Sequence, residues 1–381
     1  MSTRGRKPGL LFKVAVLGIS LFLSLVAVEA GLWLMGKEIP VVWVPDKQVG
    51  WRNLPGAHLH YVKEGDGIVD INSLGNRDRE RTAEKSPGVF RVAVFGDSMT
   101  EAVEVNLDKT FCYLLEERLS RPDAKVEVLN FGVIGYSPIQ ELLLFREEGP
   151  RYKPDLVILA LFVDNDVSGC RGDLAVVDGA PLVSMAGNEL RFDYSACYRE
   201  YDSYMREPVH LLRAHSRLYH VLNDFRIAMK NRRALGQDAN SIPKRFMLYH
   251  DPLPPVWEDA WKLFERVLLE FKLEAEKQGV PLVVVSVPAA QVVSAESWQD
   301  ILKTYPKMAG ENWRLLEPED RLLSIIERQG IVFFRPLETF QKASSGSPLF
   351  FGNAGHMTTR GHEVMTAALA EFLLRNKLVP Q

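Results

Sequence analysis

Four short segments of this chain carry side chains that together could do nucleophilic acyl chemistry. Ser98 lies in Arg91-Val-Ala-Val-Phe-Gly-Asp-Ser-Met-Thr, just past a compact apolar run, where open α/β sheets place their ligands. A serine hydroxyl has too high a pKa to ionise unaided and needs a base. His356, in Asn353-Ala-Gly-His-Met-Thr-Thr-Arg-Gly-His, stands before the last amphipathic segment and suits that role. Asn130-Phe-Gly-Val-Ile-Gly-Tyr-Ser exposes backbone amides at Gly132 and Gly135, and Phe162-Val-Asp-Asn-Asp offers the Asn165 amide. With the Ser98 N–H, these are donors for a developing oxyanion. Singly each signal is weak: Gly-Asp-Ser recurs by chance, Gly135 can serve only its turn, and Asn165 can bond only local backbone. Their joint order at successive strand ends carries the reading.

The elements that must position these groups alternate between apolar strands and amphipathic helices, the pattern of an α/β sandwich with a mainly parallel sheet. Strands are expected at Phe90 to Phe95, Val126 to Asn130, Leu156 to Phe162, Pro281 to Val287 and Ile331 to Phe334. Helices are expected near Thr110 to Leu119, Pro138 to Glu148, Trp257 to Lys277, Pro318 to Arg328 and Thr359 to Leu378. The stretch of about 168–255 breaks the alternation and reads as an insertion after the third strand, with its own helix near Glu207 to Arg233. Before the first strand, 37–88 reads as a lead-in of short extended pieces, Val41 to Val44, Leu59 to Val62 and Gly67 to Ile71, packed on the domain of 89–381.

At the N-terminus, Arg4, Arg6, Lys7 and Lys13 precede an apolar run from Val14 to Met35, about 33 Å as a helix and long enough to cross a bilayer core. The basic cluster predicts a cytoplasmic N-terminus and an extracytoplasmic main domain, periplasmic in a Gram-negative cell. Val28 and Ala30 also fit a signal-peptidase site. A retained anchor is the preferred reading, because Leu32 to Met35 continue the apolar stretch and Trp33 suits an interface. Glu29 interrupts the run; a carboxyl reaching toward water is preferred over a contact with a partner helix.

A net charge of −3 over 381 residues gives no broad footprint for nucleic acid. Cys112, Cys170 and Cys197 show no metal-ligand spacing, so neither a metal nor any other cofactor is expected. Cys170 and Cys197 share the insertion and, in an oxidising compartment, are expected to pair, while Cys112 reads as a small buried apolar residue. His210, His215 and His220 recur at a spacing that turns each about 140° from the last, so they share no metal-binding helix face. Asp164 and Asp166 read as strand-end hydrogen-bonding groups, and Lys230-Asn-Arg-Arg as a solvated helix end. Tyr194, Tyr198, Tyr201 and Tyr204 suit either sugar stacking or packing of the insertion on the domain.

Gly96-Asp97-Ser98, Gly135 after Asn130, Asn165-Asp166 and His356 near the C-terminus resemble the four blocks of the SGNH (GDSL) hydrolase family, over residues 88–378 without the insertion. The resemblance implies a three-layer α/β/α sandwich with a flavodoxin-like parallel sheet. It implies Ser98 as nucleophile, His356 as base, and an oxyanion hole of the Ser98 amide, the Gly135 amide and the Asn165 side chain. Two positions depart from the family pattern. Val163 stands where Gly is common, and Asn353 stands where an Asp commonly orients the imidazole. In trypsin-like triads the equivalent Asp-to-Asn change costs about 10⁴ in rate. Three explanations follow in order: another carbonyl or carboxylate orients His356; Asn353 acts through its oxygen; or the site mainly binds. The expected activity is hydrolysis or O-acyl transfer on an ester-bearing small molecule, envelope glycan or lipid through a Ser98 acyl-enzyme. The alternative is a non-catalytic or weakly active envelope protein that binds glycan or assists assembly.

Overall fold

The structure, a computed structural model, describes residues 9–37, 42–175, 177–206, 209–238, 242–352 and 355–381. It opens with α1 (Leu10–Leu34), long and apolar enough to span a bilayer and with no buried residue. Two antiparallel hairpins follow, β1 (Trp43–Asp46) with β2 (Gly50–Asn53) and β3 (His58–Tyr61) with β4 (Gly67–Asp70). Next come β5 (Phe90–Gly96), α2 (Ser98–Glu101), α3 (Phe111–Leu119), β6 (Val126–Gly132), α4 (Pro138–Tyr152), β7 (Leu156–Leu161) and α5 (Val163–Gly169). The insertion holds a hairpin, β8 (Leu182–Ala186) with β9 (Glu189–Asp193), then α6 (Ser195–Arg206), α7 (Val209–His215) and α8 (Arg217–Asp238). The chain ends with α9 (Pro255–Gln278), β10 (Leu282–Ser286), α10 (Ala290–Val293), α11 (Ala295–Thr304), α12 (Glu317–Gln329), β11 (Val332–Phe334), α13 (Leu337–Ala343) and α14 (Thr359–Arg375).

Five parallel strands form the central sheet in the order β11-β10-β7-β5-β6. Numbered along the chain within the sheet this is 2-1-3-4-5, the flavodoxin-like order. The buried apolar runs Val92–Phe95 of β5 and Leu156–Leu161 of β7 are what a strand covered on both faces requires. Helices α3 and α14 pack together on one face, α4 and α9 on the other. Phe95 of β5 meets Phe145 of α4 and Phe271 of α9, whose rings lie 4.9 Å apart in a stack, so aromatic packing joins sheet to helix layer. Gly96 pairs in register with Gly132 on one side and Ala160 on the other. That register ends three neighbouring strands at one level and brings their following loops out side by side.

Several sequence expectations are corrected. The helix expected near Glu207 to Arg233 is two helices. The Ser216 hydroxyl accepts the Tyr219 N–H at 3.1 Å and starts a new N-terminus there. The amides of that N-terminus go to Glu29, whose half-buried carboxylate thus contacts a helix where a carboxyl reaching only toward water is expected: Oε1 accepts Arg217 N–H at 2.7 Å, and Oε2 accepts Leu218 N–H at 3.1 Å and the Ser216 hydroxyl at 3.0 Å. All three cysteines are free and buried. Cys170 closes α5 in the main core while Cys197 sits on α6 against β1 and β2, so the expected pair lies on separately packed elements. The Tyr side chains of α6 serve packing in part, with Lys47 over the Tyr201 ring at 4.5 Å. Lys230-Asn-Arg-Arg has side chains outside the described set.

Candidate active site

Ser98 begins the one-turn helix α2. Asp97 precedes it, and its Oδ1 accepts the Met99 N–H at 2.9 Å, which aims the Ser98 hydroxyl out of the strand end. The turn leaves α2 through Ala102 in the left-handed region, at φ 58°. That strained residue is held by Arg77, a fully buried side chain of the lead-in whose guanidinium donates to the carbonyls of Glu101, Ala102, Val105 and Ile68. Burial pulls the Arg77 pKa down to about 10, against the charges of Glu101, Glu104 and Asp70. Arg77 remains cationic at neutral pH.

His356 approaches from the loop before α14, which is pinned by Thr358 capping Gly361 N–H at 3.2 Å and by the Phe351 N–H on the His356 carbonyl at 2.8 Å. Its Nε2 lies 2.8 Å from Ser98 Oγ. Its Nδ1 lies 2.7 Å from Glu64 Oε2, and Glu64 Oε1 accepts the His356 backbone N–H at 3.0 Å. A second carboxylate, Glu104, stands 3.1 Å from Nδ1 but out of hydrogen-bonding alignment. With both carboxylates on the Nδ1 side, the proton of a neutral ring belongs on Nδ1, and Nε2 is left to accept from Ser98.

Glu64 is the residue that sequence reasoning missed. It sits in the turn between β3 and β4, and Asp66 N–H bonds the Glu104 carbonyl at 3.1 Å, which lays the turn on the chain just after α2. Gly65 makes the approach possible: it holds φ at +77°, and a Cβ there would strike the Glu104 carbonyl and the Phe351 ring. The acid followed by glycines, Glu64-Gly65-Asp66-Gly67, is the only trace of this in the sequence. Asn353 lies outside the described residues.

Electrostatics follow from this packing. Burial alone would lower the His356 pKa, but the Glu64 hydrogen bond and the charges of Glu104, Glu64 and Asp97 outweigh it and raise it above 6.5. Burial tends to raise Glu64, yet the His356 ring and backbone N–H hold it below its usual value. Glu104 is pushed up to about 7, chiefly by burial and in spite of the His356 charge. Among the described residues, Glu64, Glu104 and His356 are the one group whose donor atoms lie close enough together, within 4.8 Å, to suit a cation. The imidazole Nδ1–H is taken by Glu64 within that group, at 2.7 Å.

Opposite His356, the Asn165 Nδ2 donates to Asp97 Oδ2 at 2.7 Å, which fixes the amide plane and leaves its second hydrogen. Gly135 adopts φ +75°, and a Cβ there would press on Val177 and Trp51. Among the described residues no hydrogen bond takes the Ser98 or Gly135 N–H. Ser98, Gly135, Asn165 and His356 line one cavity of about 360 Å³, whose walls include Met99, Phe162 and Val177. Asp164 instead turns inward, accepting from Tyr249 and, at 2.7 Å, from Gln291. Behind Asn165, Asp166 and Glu141 are fully buried with unpartnered oxygens, and burial drives both well toward their neutral forms. The three histidines of the insertion form no metal group among the described residues; His220 bonds the Arg213 carbonyl at 2.7 Å.

No family model and no curated protein matches this sequence. Among solved structures, the chain is similar to a catalytic mutant of Axe2, an acetylxylan esterase from Geobacillus stearothermophilus, at 12% identity and a TM-score of 0.40, covering 76% of this chain and 95% of that one. It is similar to LAE5, an alpha/beta hydrolase enzyme from the metagenome of Lake Arreo, at 11% identity and 0.40, covering 79% and 100%. It is also similar to TesA, at 9% identity and 0.36, covering 74% and 97%.

Proposed function

We propose that this chain is a serine ester hydrolase or O-acyltransferase of the SGNH type, acting on an ester of an envelope glycan or lipid through a Ser98 acyl-enzyme. The observation that carries this reading is the unbroken line of contacts from Ser98 Oγ through His356 Nε2 and Nδ1 to Glu64, at 2.8 and 2.7 Å. Nucleophile, base and orienting acid are then each within direct reach of the next.

In the forward step His356 Nε2 takes the Ser98 proton as Oγ adds to the ester carbonyl. Negative charge passes to the carbonyl oxygen, toward the Ser98 and Gly135 N–H groups and the free hydrogen of Asn165 Nδ2. The imidazolium is stabilised by Glu64 and Glu104. Collapse expels the alcohol, which takes the proton from Nε2 and leaves the acyl group on Ser98. Water or a sugar hydroxyl then gives its proton to His356 and attacks the acyl-enzyme, and Ser98 recovers its hydrogen. Glu64 holds the tautomer, the role that Asn353 would have in the family pattern. The apolar walls of the cavity suit the acyl side of the ester. In this reading α1 is a membrane anchor with a cytoplasmic N-terminus, and the remaining chain is extracytoplasmic.

The test is covalent labelling. The full chain in detergent should react with a fluorophosphonate probe at Ser98, located by mass spectrometry of the digest, and Ser98→Ala should not. Equal, negligible labelling of both proteins, with short- and long-chain p-nitrophenyl esters inert, would leave a binding protein in place of an enzyme.

A further inference from the structure

The insertion carries an apolar surface that the active site does not use. On α8, Leu218, Val221, Leu222, Phe225 and Met229 fall within an arc of about 100° at 100° per residue. Leu222 and Phe225 are 60% and 65% exposed, and Val221 and Met229 are exposed as well. Leu211 and Leu212 of α7 add further exposed apolar surface. Asp224 lies away from this arc, and Arg226 flanks it.

What this surface faces follows from Glu29. The carboxylate projects from α1 about 7.5 Å short of its C-terminal end and takes the amides that start α8. Arg217 adds an ion pair to Glu29 at 3.5 Å, and its Nε donates to the Lys37 carbonyl at 2.7 Å, so both sides of the α1 terminus are clasped. Residues 10–28 of α1 are exposed throughout, so α8 meets the anchor only near this end and then diverges from it. A helix starting there with an outward apolar stripe, an arginine at its flank and one further exposed apolar residue, Ile227, on its other side presents apolar side chains beside the membrane-spanning segment.

We propose that α7 and α8 form a second membrane contact, in which the apolar stripe of α8 seats in the outer leaflet of the bilayer that α1 crosses, hinged on the anchor by Glu29. The occupant is lipid because the stripe begins at the membrane-spanning segment itself. This proposal rests on the reading of α1 as an anchor. It also requires that anchor to be retained, since cleavage after Ala30 would remove Glu29 and strip the α8 N-terminus of its acceptor.

The test uses the full chain in phosphatidylcholine–phosphatidylglycerol proteoliposomes, with an NBD fluorophore on one introduced cysteine at a time. The three native cysteines are buried, so native-state labelling is confined to the new thiol. Leu222→Cys and Phe225→Cys should shift to the blue and lose most of their emission when 5-doxyl phosphatidylcholine is included, as should Leu21→Cys in α1, while Asp224→Cys stays bright. Glu29→Leu should weaken quenching at Leu222→Cys and spare it at Leu21→Cys. Quenching at Leu21→Cys alone overturns the second contact and leaves the anchor standing. No quenching at Leu21→Cys overturns the anchor and this proposal with it. A bismaleimide cross-link between copies at an unquenched Leu222→Cys would assign the stripe to a second copy of the chain.

Discussion

Glu64 grips His356 twice, through the ring Nδ1 at 2.7 Å and through the backbone N–H at 3.0 Å, although 292 positions separate the two residues. The double contact fixes both the tautomer and the position of the loop that carries the imidazole. It comes from the segment before the sheet, so the lead-in is part of the site.

Glu64→Gln should therefore lower kcat/KM by about 10³ to 10⁴, the scale of losing the orienting acid of a serine triad. Thermal melting should change far less than activity. Asn353→Ala, measured with the same p-nitrophenyl ester, should remain within about tenfold of the parent, a difference of some 1.4 kcal/mol. The reverse ranking of the two variants would return the orienting role to Asn353.

The pH profile should carry the mark of the two carboxylates. Their charges raise the His356 pKa above 6.5 in spite of burial. Catalysis needs the neutral ring, so activity is lost as pH falls through the raised value. The acid limb of kcat/KM, which reports the free enzyme, should have its midpoint above 6.5. In Glu64→Gln that midpoint should move down, because a charge and an ionic hydrogen bond that favour the imidazolium are gone. An unchanged limb would show that some other group sets it.

Asn165→Ala should reduce kcat by about 10² to 10³ with little change in KM, the cost of one oxyanion donor. Asp97→Asn tests the same donor indirectly. Its side chain can still accept the Met99 N–H, but it loses the carboxylate that holds Asn165 Nδ2 at 2.7 Å. A smaller loss in kcat than in Asn165→Ala, at similar KM, is the expected result of steady-state assays across both variants.

Arg77→Met should destabilise the fold by on the order of 3 kcal/mol, since it strips hydrogen-bond donors from four carbonyls in a buried setting. Thermal melts read that loss. Because those carbonyls belong to the turn that leaves α2 and to the edge of β4, kcat should fall as well, even at temperatures where the variant stays folded.

Local pattern along the chain carries much of this fold. Runs such as Val92 to Phe95 and Leu156 to Leu161 are apolar at every position because a central parallel strand is covered on both faces, and that burial is written into consecutive residues. Ser98, Gly135 and Asn165 follow such runs directly, so their place at strand ends needed only local spacing. Helix ends moved by one to a few residues: Thr110 caps the helix that begins at Phe111, while the last helix begins at Thr359 as expected behind its Thr358 cap and stops at Arg375 rather than Leu378. The hairpins of 43–70 were legible only in part, being short, half-exposed and weakly periodic.

What the sequence determined by itself is thus the alternation of elements, the apolar N-terminal helix and the residue types standing at each strand end. Tertiary structure alone decided the rest: that Glu64 and Glu104 flank the imidazole, that Arg77 holds the turn behind Ser98, that Glu29 caps a helix in the insertion, and that Cys170 and Cys197 stay apart. The physical reason is range. Burial leaves a periodic signature within a few residues, whereas a carboxylate shows no sign of its distant partner until packing has closed the chain around both.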